Sequence, residues 1–130
     1  MLYNSDWYNS LIKPVFAPPN WLFAPVWTAL YILIAVSLII FLFKKTDKSK
    51  NRGYLYFALQ LILNLLWTPV FFGLQNIPLA LIVLLFLNIF IFLTIKQFYS
   101  ISKISSLLLI PYFLWTIFAM CLNIGYLVLN

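Results

Sequence analysis

Trp27 and Tyr31 stand four residues apart, Asn64 and Trp67 three, and Trp115, Ala119 and Asn123 follow one another at intervals of four. On an α-helix each of these spacings gathers its members on one face. Indole and phenol rings supply flat apolar walls with a hydrogen-bonding edge, and an amide supplies both a donor and an acceptor. The chemistry such a set suits is the enclosure of a large, planar, apolar molecule held by a few directed hydrogen bonds.

Groups that would do other chemistry are missing from the same stretches. Histidine is absent, and the two acids, Asp6 and Asp47, lie outside every apolar run. Proton-coupled antiport needs a titrating carboxylate within the membrane, so that class is excluded. Histidine-ligated haem, histidine zinc sites, serine-histidine triads and carboxylate acid/base pairs are excluded as well. No glycine-rich phosphate loop occurs, no metal site is expected, and the single cysteine, Cys121, rules out an internal disulfide.

The elements that must position these residues follow from the charges. No charged side chain occurs between Lys13 and Lys44, between Arg52 and Lys96, or after Lys103, and 65% of the chain is hydrophobic against 8% charged. A bilayer cannot hydrogen-bond a backbone, so each gap must be helical, and a span needs roughly 20 apolar residues. The expectation is an all-α membrane protein, one transmembrane helical bundle over 1–130 with four spans at about 21–43, 54–72, 79–95 and 104–129. Gly73-Leu74-Gln75-Asn76-Ile77-Pro78 reads as a tight turn dividing the long middle gap. Residues 1–20 form a proline-rich extramembrane loop, and 44–53 a basic loop. Met1-Leu2-Tyr3-Asn4-Ser5-Asp6 lacks the basic flank and apolar core of a cleavable signal peptide.

Lys44, Lys45, Lys48, Lys50 and Arg52 fall between the first two spans, and Lys96 and Lys103 bound the connection between the last two. Both sets lie on one side of the bilayer. The positive-inside rule makes loops 44–52 and 96–103 cytoplasmic and puts both termini of this chain on the outer side. The net charge of +6 is thereby a topology signal rather than a nucleic-acid footprint, with attraction to anionic membrane lipids as a secondary effect.

At roughly 1.5 Å per residue, Trp27 and Trp67 lie about 9 Å below the outer ends of their helices, and Tyr31 and Asn64 about 15 Å. Asn64, Asn88 and Asn123 should point into the bundle, since an unpaired amide in hydrocarbon is costly. The alternative uses of the same residues stand beside the cavity. Trp7 and Trp21 suit an interfacial belt, Trp27, Trp67 and Trp115 suit helix packing, and Asn64 suits an interhelical hydrogen bond.

Three ordered motifs carry a resemblance that covers nearly the whole chain. They are Trp7-Tyr8-x-x-Leu11-x-Lys13-Pro14-x-Phe16-x-Pro18-Pro19-x-Trp21 continuing to Trp27-Thr28-x-Leu30-Tyr31, then Asn64-Leu65-Leu66-Trp67-Thr68-Pro69-Val70-Phe71-Phe72-Gly73, and Pro111-Tyr112-Phe113-Leu114-Trp115 with Ala119 and Leu122-Asn123. The chain resembles the TspO/MBR family of tryptophan-rich sensory proteins, related to the mitochondrial translocator protein. That resemblance implies an integral membrane protein, often a homodimer, with a sensory or translocator role. It implies an intramembrane aromatic pocket for porphyrins, other tetrapyrroles, benzodiazepine-type drugs and, in some members, sterols. Carried over, Trp7 is the loop tryptophan, Pro14, Pro18 and Pro19 belong to a lid, and Trp27, Tyr31, Asn64, Trp67, Trp115 and Ala119 line the pocket.

The departures carry expectations too. The family has five membrane helices, and the loop that opens this sequence normally follows the first, so the resemblance implies either a sequence truncated or mis-started at that loop or a four-helix variant with one pocket wall missing. Tyr126 is followed by no basic residue, which removes the family's C-terminal sterol motif. The expected mechanism stacks a tetrapyrrole on Trp27, Trp67 and Trp115, hydrogen-bonds it through Tyr31 and Asn64, and pairs a propionate with Lys13. No cofactor is required. Porphyrin or haem is the ligand, with little preference for the iron form, because Met120, Cys121 or a tyrosine would have to coordinate it. Alternatives are light-dependent, tryptophan-assisted breakdown of porphyrin, as some family members promote, and a ligand-independent membrane scaffold.

Overall fold

A computed structural model describes residues 11, 12, 14–17 and 20–130. A 3-10 turn, Asn20–Leu22, leads into α1 (Phe23–Phe43). Then come α2 (Asn51–Thr68), prolonged by a π-helical turn at Pro69–Gly73, α3 (Ile77–Tyr99), the short α4 (Lys103–Leu107) and α5 (Ile110–Leu129). No strand occurs among the described residues. Among the described residues four helical segments are long and apolar enough to cross a membrane: Phe23–Phe43, Asn51–Gly73, Ile77–Tyr99 and Lys103–Leu129. The all-α bundle of four spans is what the charge-free gaps led one to expect.

The boundaries differ in ways that have physical causes. α2 starts at Asn51, so the basic connection is 44–50 rather than 44–53, with Arg52 already in the first helical turn. α3 runs on to Tyr99 instead of stopping near Ile95, and Lys96 sits in its last turn, where a cation complements the carbonyl end. The last span is not one helix over 104–129. It is interrupted at Leu108 and Leu109, just ahead of Pro111, whose ring and missing N–H tolerate a first helical turn but not an interior.

The middle of the bundle is α3, whose buried residues Ala80, Leu84, Leu87, Asn88, Ile91, Thr94 and Phe98 recur at helical spacing. It packs on α2, α4 and α5, whereas α1 packs chiefly against α4 and α5. Outward faces carry Leu55, Ile62, Leu65, Ile82, Leu85, Ile89 and Phe92, all exposed. So continuous an apolar surface suits lipid rather than water.

The lysine-rich end is tightly closed. Phe98 stacks on Phe41 at 3.9 Å between centroids and on Phe57 at 5.9 Å. Gly53 makes room there, since a Cβ on it would lie 2.7 Å from Cζ of Phe41. Ser37 and Ser105 are fully buried and each hydroxyl donates to the other's backbone carbonyl, tying α1 to α4. Lys50 Nζ donates to the carbonyls of Phe41 and Leu42 at 2.7 and 3.1 Å, and Lys48 Nζ to that of Ser100 at 2.9 Å. These ammonium groups satisfy carbonyls that the ends of α1 and α3 leave over. At the other end, the expected 73–78 turn is closed by Gln75 at φ 54° and by Asn76, whose side chain accepts from the Leu79 amide at 3.0 Å.

Candidate functional site

The lysine-poor half of the bundle holds a cavity of about 70 Å³. α1 contributes Phe23, Trp27 and Tyr31, α2 and its π turn contribute Asn64, Trp67, Thr68, Phe71 and Phe72, α3 contributes Leu84 and Leu87, and α5 contributes Trp115, Ala119, Leu122, Asn123 and Tyr126. The intramembrane residues singled out from their spacing, Trp27, Tyr31, Asn64, Trp67, Trp115, Ala119 and Asn123, all stand on this wall. Trp7 and Lys13, with Pro18 and Pro19, lie outside the described residues. Pro14 is described and buried but is not on the wall. It rests on α5, where a Cβ on Gly125 would come within 2.5 Å of its Cγ. The Ala17 amide turns back to the Pro14 carbonyl at 3.1 Å, and Phe16 meets Phe118 edge-on at 6.2 Å.

Two hydrogen-bonded systems hold the wall in place. Trp67 Nε1 donates to Asn123 Oδ1 at 3.2 Å, and Asn123 Nδ2 donates to the Ile77 carbonyl at 3.1 Å, joining α2, α5 and the start of α3 through one amide. On the opposite side Tyr31 Oη donates to Asn64 Oδ1 at 2.5 Å, so two residues expected only to share a depth are in direct contact. Asn64 Nδ2 continues to Tyr112 Oη at 2.9 Å, and Tyr112 Oη to Gln60 Oε1 at 2.6 Å. Asn88 faces inward as expected, but away from the cavity, with Thr116 Oγ1 donating to it at 2.7 Å.

Several of these residues were not singled out beforehand. Gln60 precedes Asn64 by one helical turn, and an amide in so apolar a helix was a usable signal. Phe71 and Phe72 reach the wall through the π turn, in which the Leu74 amide donates to the Pro69 carbonyl five residues back, at 2.9 Å. Pro69 has no N–H of its own to offer, and a π turn re-aims the side chains that follow it. The aromatic residues of the motif signalled their presence there, but not their direction.

Among the described residues none on the wall is charged, so the cavity suits a neutral and largely apolar surface. Its rings partly fill it. Trp67 stacks on Phe71 at 5.0 Å and meets Phe72 at right angles, Trp27 leans on Tyr31 at 5.7 Å, and Phe23 meets Trp115 edge-on at 6.1 Å. Pockets for drug-sized ligands run to roughly 300–1,000 Å³. A macrocycle therefore enters only if these rings part. Neither Met120 nor Cys121 is on the wall, which leaves tyrosine as the iron ligand type among the lining residues.

Residues 2–129 match the model of the TspO/MBR family. The chain is 45% identical over 127 residues to the tryptophan-rich protein TspO of Chlorobaculum tepidum, an alignment that covers 97% of this chain and 80% of that protein. It is 35% identical over 130 residues to the tryptophan-rich sensory protein of Cereibacter sphaeroides, covering 100% and 80% of the two. With the human translocator protein it shares 35% identity over 121 residues, 90% of this chain and 70% of that one.

Proposed function

This chain belongs to the TspO/MBR family of multi-pass integral membrane proteins, and from that membership we propose that it binds a flat, largely apolar tetrapyrrole in the cavity between α1, α2, α3 and α5, in a sensory or translocator role. The observation that carries this reading is the convergence of Trp27, Trp67 and Trp115, from three separate spans, on one uncharged cavity whose polar groups are Tyr31, Asn64, Thr68, Asn123 and Tyr126. The ligand spreads the outer part of α1 from α2 and α5 as it enters, stacks on the indoles and hydrogen-bonds to Tyr31 and Asn64. Propionate groups stay outside the uncharged wall.

Titration of the detergent-solubilised protein with protoporphyrin, read by quenching of tryptophan fluorescence, tests this. Saturable quenching is expected, with W27A and W115A each weakening binding about tenfold, since one aromatic contact contributes about 0.5–1.5 kcal/mol beyond its buried area. Haem and the metal-free ring should bind within about tenfold of one another, because no histidine, cysteine or methionine is among the described lining residues. A second reading draws on the small volume: the rings serve helix packing and the protein is a ligand-independent scaffold. Absence of quenching by any porphyrin would decide for it.

A further inference from the structure

Tyr31, Asn64, Tyr112 and Gln60 form one row of hydrogen bonds running from the cavity wall into the solid part of the bundle. In order, Tyr31 Oη donates to Asn64 Oδ1, Asn64 Nδ2 to Tyr112 Oη, and Tyr112 Oη to Gln60 Oε1. The first two residues line the cavity and the last two do not. Gln60 is 1% exposed and Tyr112 0%, so neither reaches water or a ligand directly. Gln60 Nε2, at the far end, has no acceptor among the described residues.

Every link in this row can reverse. Turning an amide by half a revolution exchanges its nitrogen and oxygen with almost no change of shape, and a phenol hydroxyl can donate while still accepting. In the reversed row Gln60 Nε2 donates to Tyr112, Tyr112 to Asn64 Oδ1, and Asn64 Nδ2 to Tyr31. The bare atom at Gln60 is then an oxygen, and the Tyr31 proton is free to point into the cavity. One direction offers a ligand a lone pair on Tyr31, and the other offers it a proton. Both leave one atom of Gln60 unpaired, so neither is strongly preferred and a ligand's own hydrogen bond can choose between them.

We propose that Gln60, remote from the cavity, is a positioning residue that sets through Tyr112 and Asn64 whether Tyr31 presents a donor or an acceptor. The site thereby takes planar ligands of either polarity, N–H donors as well as ring-nitrogen or carbonyl acceptors. This rests on the ligand-binding reading above for its use, but the row itself can be read without a ligand. In Q60M, Tyr112 loses its acceptor and turns its proton to Asn64, which fixes the reversed direction.

The test uses the full chain in detergent micelles. The Raman ring doublet of Tyr31, isolated by difference from Y31F, reports whether that hydroxyl donates or accepts within the protein. It should change from the donor to the acceptor pattern in Q60M. Acridine, an acceptor, and carbazole, a donor of nearly the same shape, should then shift in opposite directions, acridine binding about tenfold tighter and carbazole about tenfold weaker than to the unaltered protein. General damage would weaken both. An unchanged Tyr31 doublet, or affinities that move together, overturns the proposal.

Should Q60M fail to fold, the side-chain amide resonance of Gln60 in the unaltered chain serves instead, assigned by substituting the exposed Gln75 and the half-buried Gln97. It should move with acridine and not with carbazole, and Y112F should abolish the response. Equal responses to both tricycles would overturn the relay. If neither tricycle binds while the Tyr31 doublet still inverts in Q60M, the relay stands and the ligand-binding reading falls.

Discussion

Asn123 does more for the wall than its size suggests. Its oxygen accepts from the Trp67 indole N–H and its nitrogen donates to the Ile77 carbonyl, so one amide sets the angle of an indole and the start of α3. N123L should leave both partners unpaired. Within a membrane the unfolded reference also finds partners for such groups, so the expected loss is about 1 kcal/mol rather than the larger cost typical of a water-soluble core. Thermal unfolding in detergent micelles measures it, and an unchanged midpoint would argue that Trp67 is held by its stacking on Phe71 instead. At this scale the sequence was informative on which residues share a helix face and a depth, as for Trp27 with Tyr31 and Asn64 with Trp67. It was silent on Gln60 to Tyr112, because the two lie on different helices and only packing brings them together.

Helices here are shaped by single residues that lack a Cβ or a backbone N–H. Gly53 lets Phe41 approach α2 so closely that an added Cβ would lie 2.7 Å from its Cζ and 3.4 Å from Phe98 Cε1. G53A must therefore displace the Phe41 and Phe98 stack, and overpacking of that kind costs about 1–3 kcal/mol. A lowered unfolding midpoint with cavity binding unchanged is the expected result, since the stack lies at the opposite end of the bundle from the cavity. Gly125 plays the matching role under Pro14. In G125A the 14–17 turn should lift from α5, seen as faster hydrogen exchange at the Ala17 amide, which normally donates to Pro14. The existence of the helices was plain from the charge-free gaps. The π turn at Pro69–Gly73 and the break at Leu108 and Leu109 were not, because proline marks a discontinuity without saying which form the backbone takes to absorb it.

For the molecule as a whole, the two ends of the bundle differ in both charge and packing. One end carries the lysines, stacked phenylalanines and buried serines, and the other carries the cavity and the uncharged 73–76 turn. We propose from the positive-inside rule that the basic end faces the cytoplasm, with the cavity in the outer half of the bilayer. With Cys121 first replaced by alanine, a membrane-impermeant thiol reagent applied to intact cells should label L74C and spare D47C. The reverse pattern would place the cavity in the inner half and reroute any ligand.

By itself the sequence settled that this is a membrane bundle of four apolar helices and which of their faces carry aromatic and amide groups, because charge gaps and helical periodicity are local properties of a chain in lipid. Tertiary structure alone decided that those faces meet, that Phe71 and Phe72 join them, that Pro14 sits apart on Gly125, and that the enclosed space is small. Those outcomes depend on contacts between helices distant in the chain, where shape complementarity and a few hydrogen-bond partners select one arrangement from many that hydropathy allows equally.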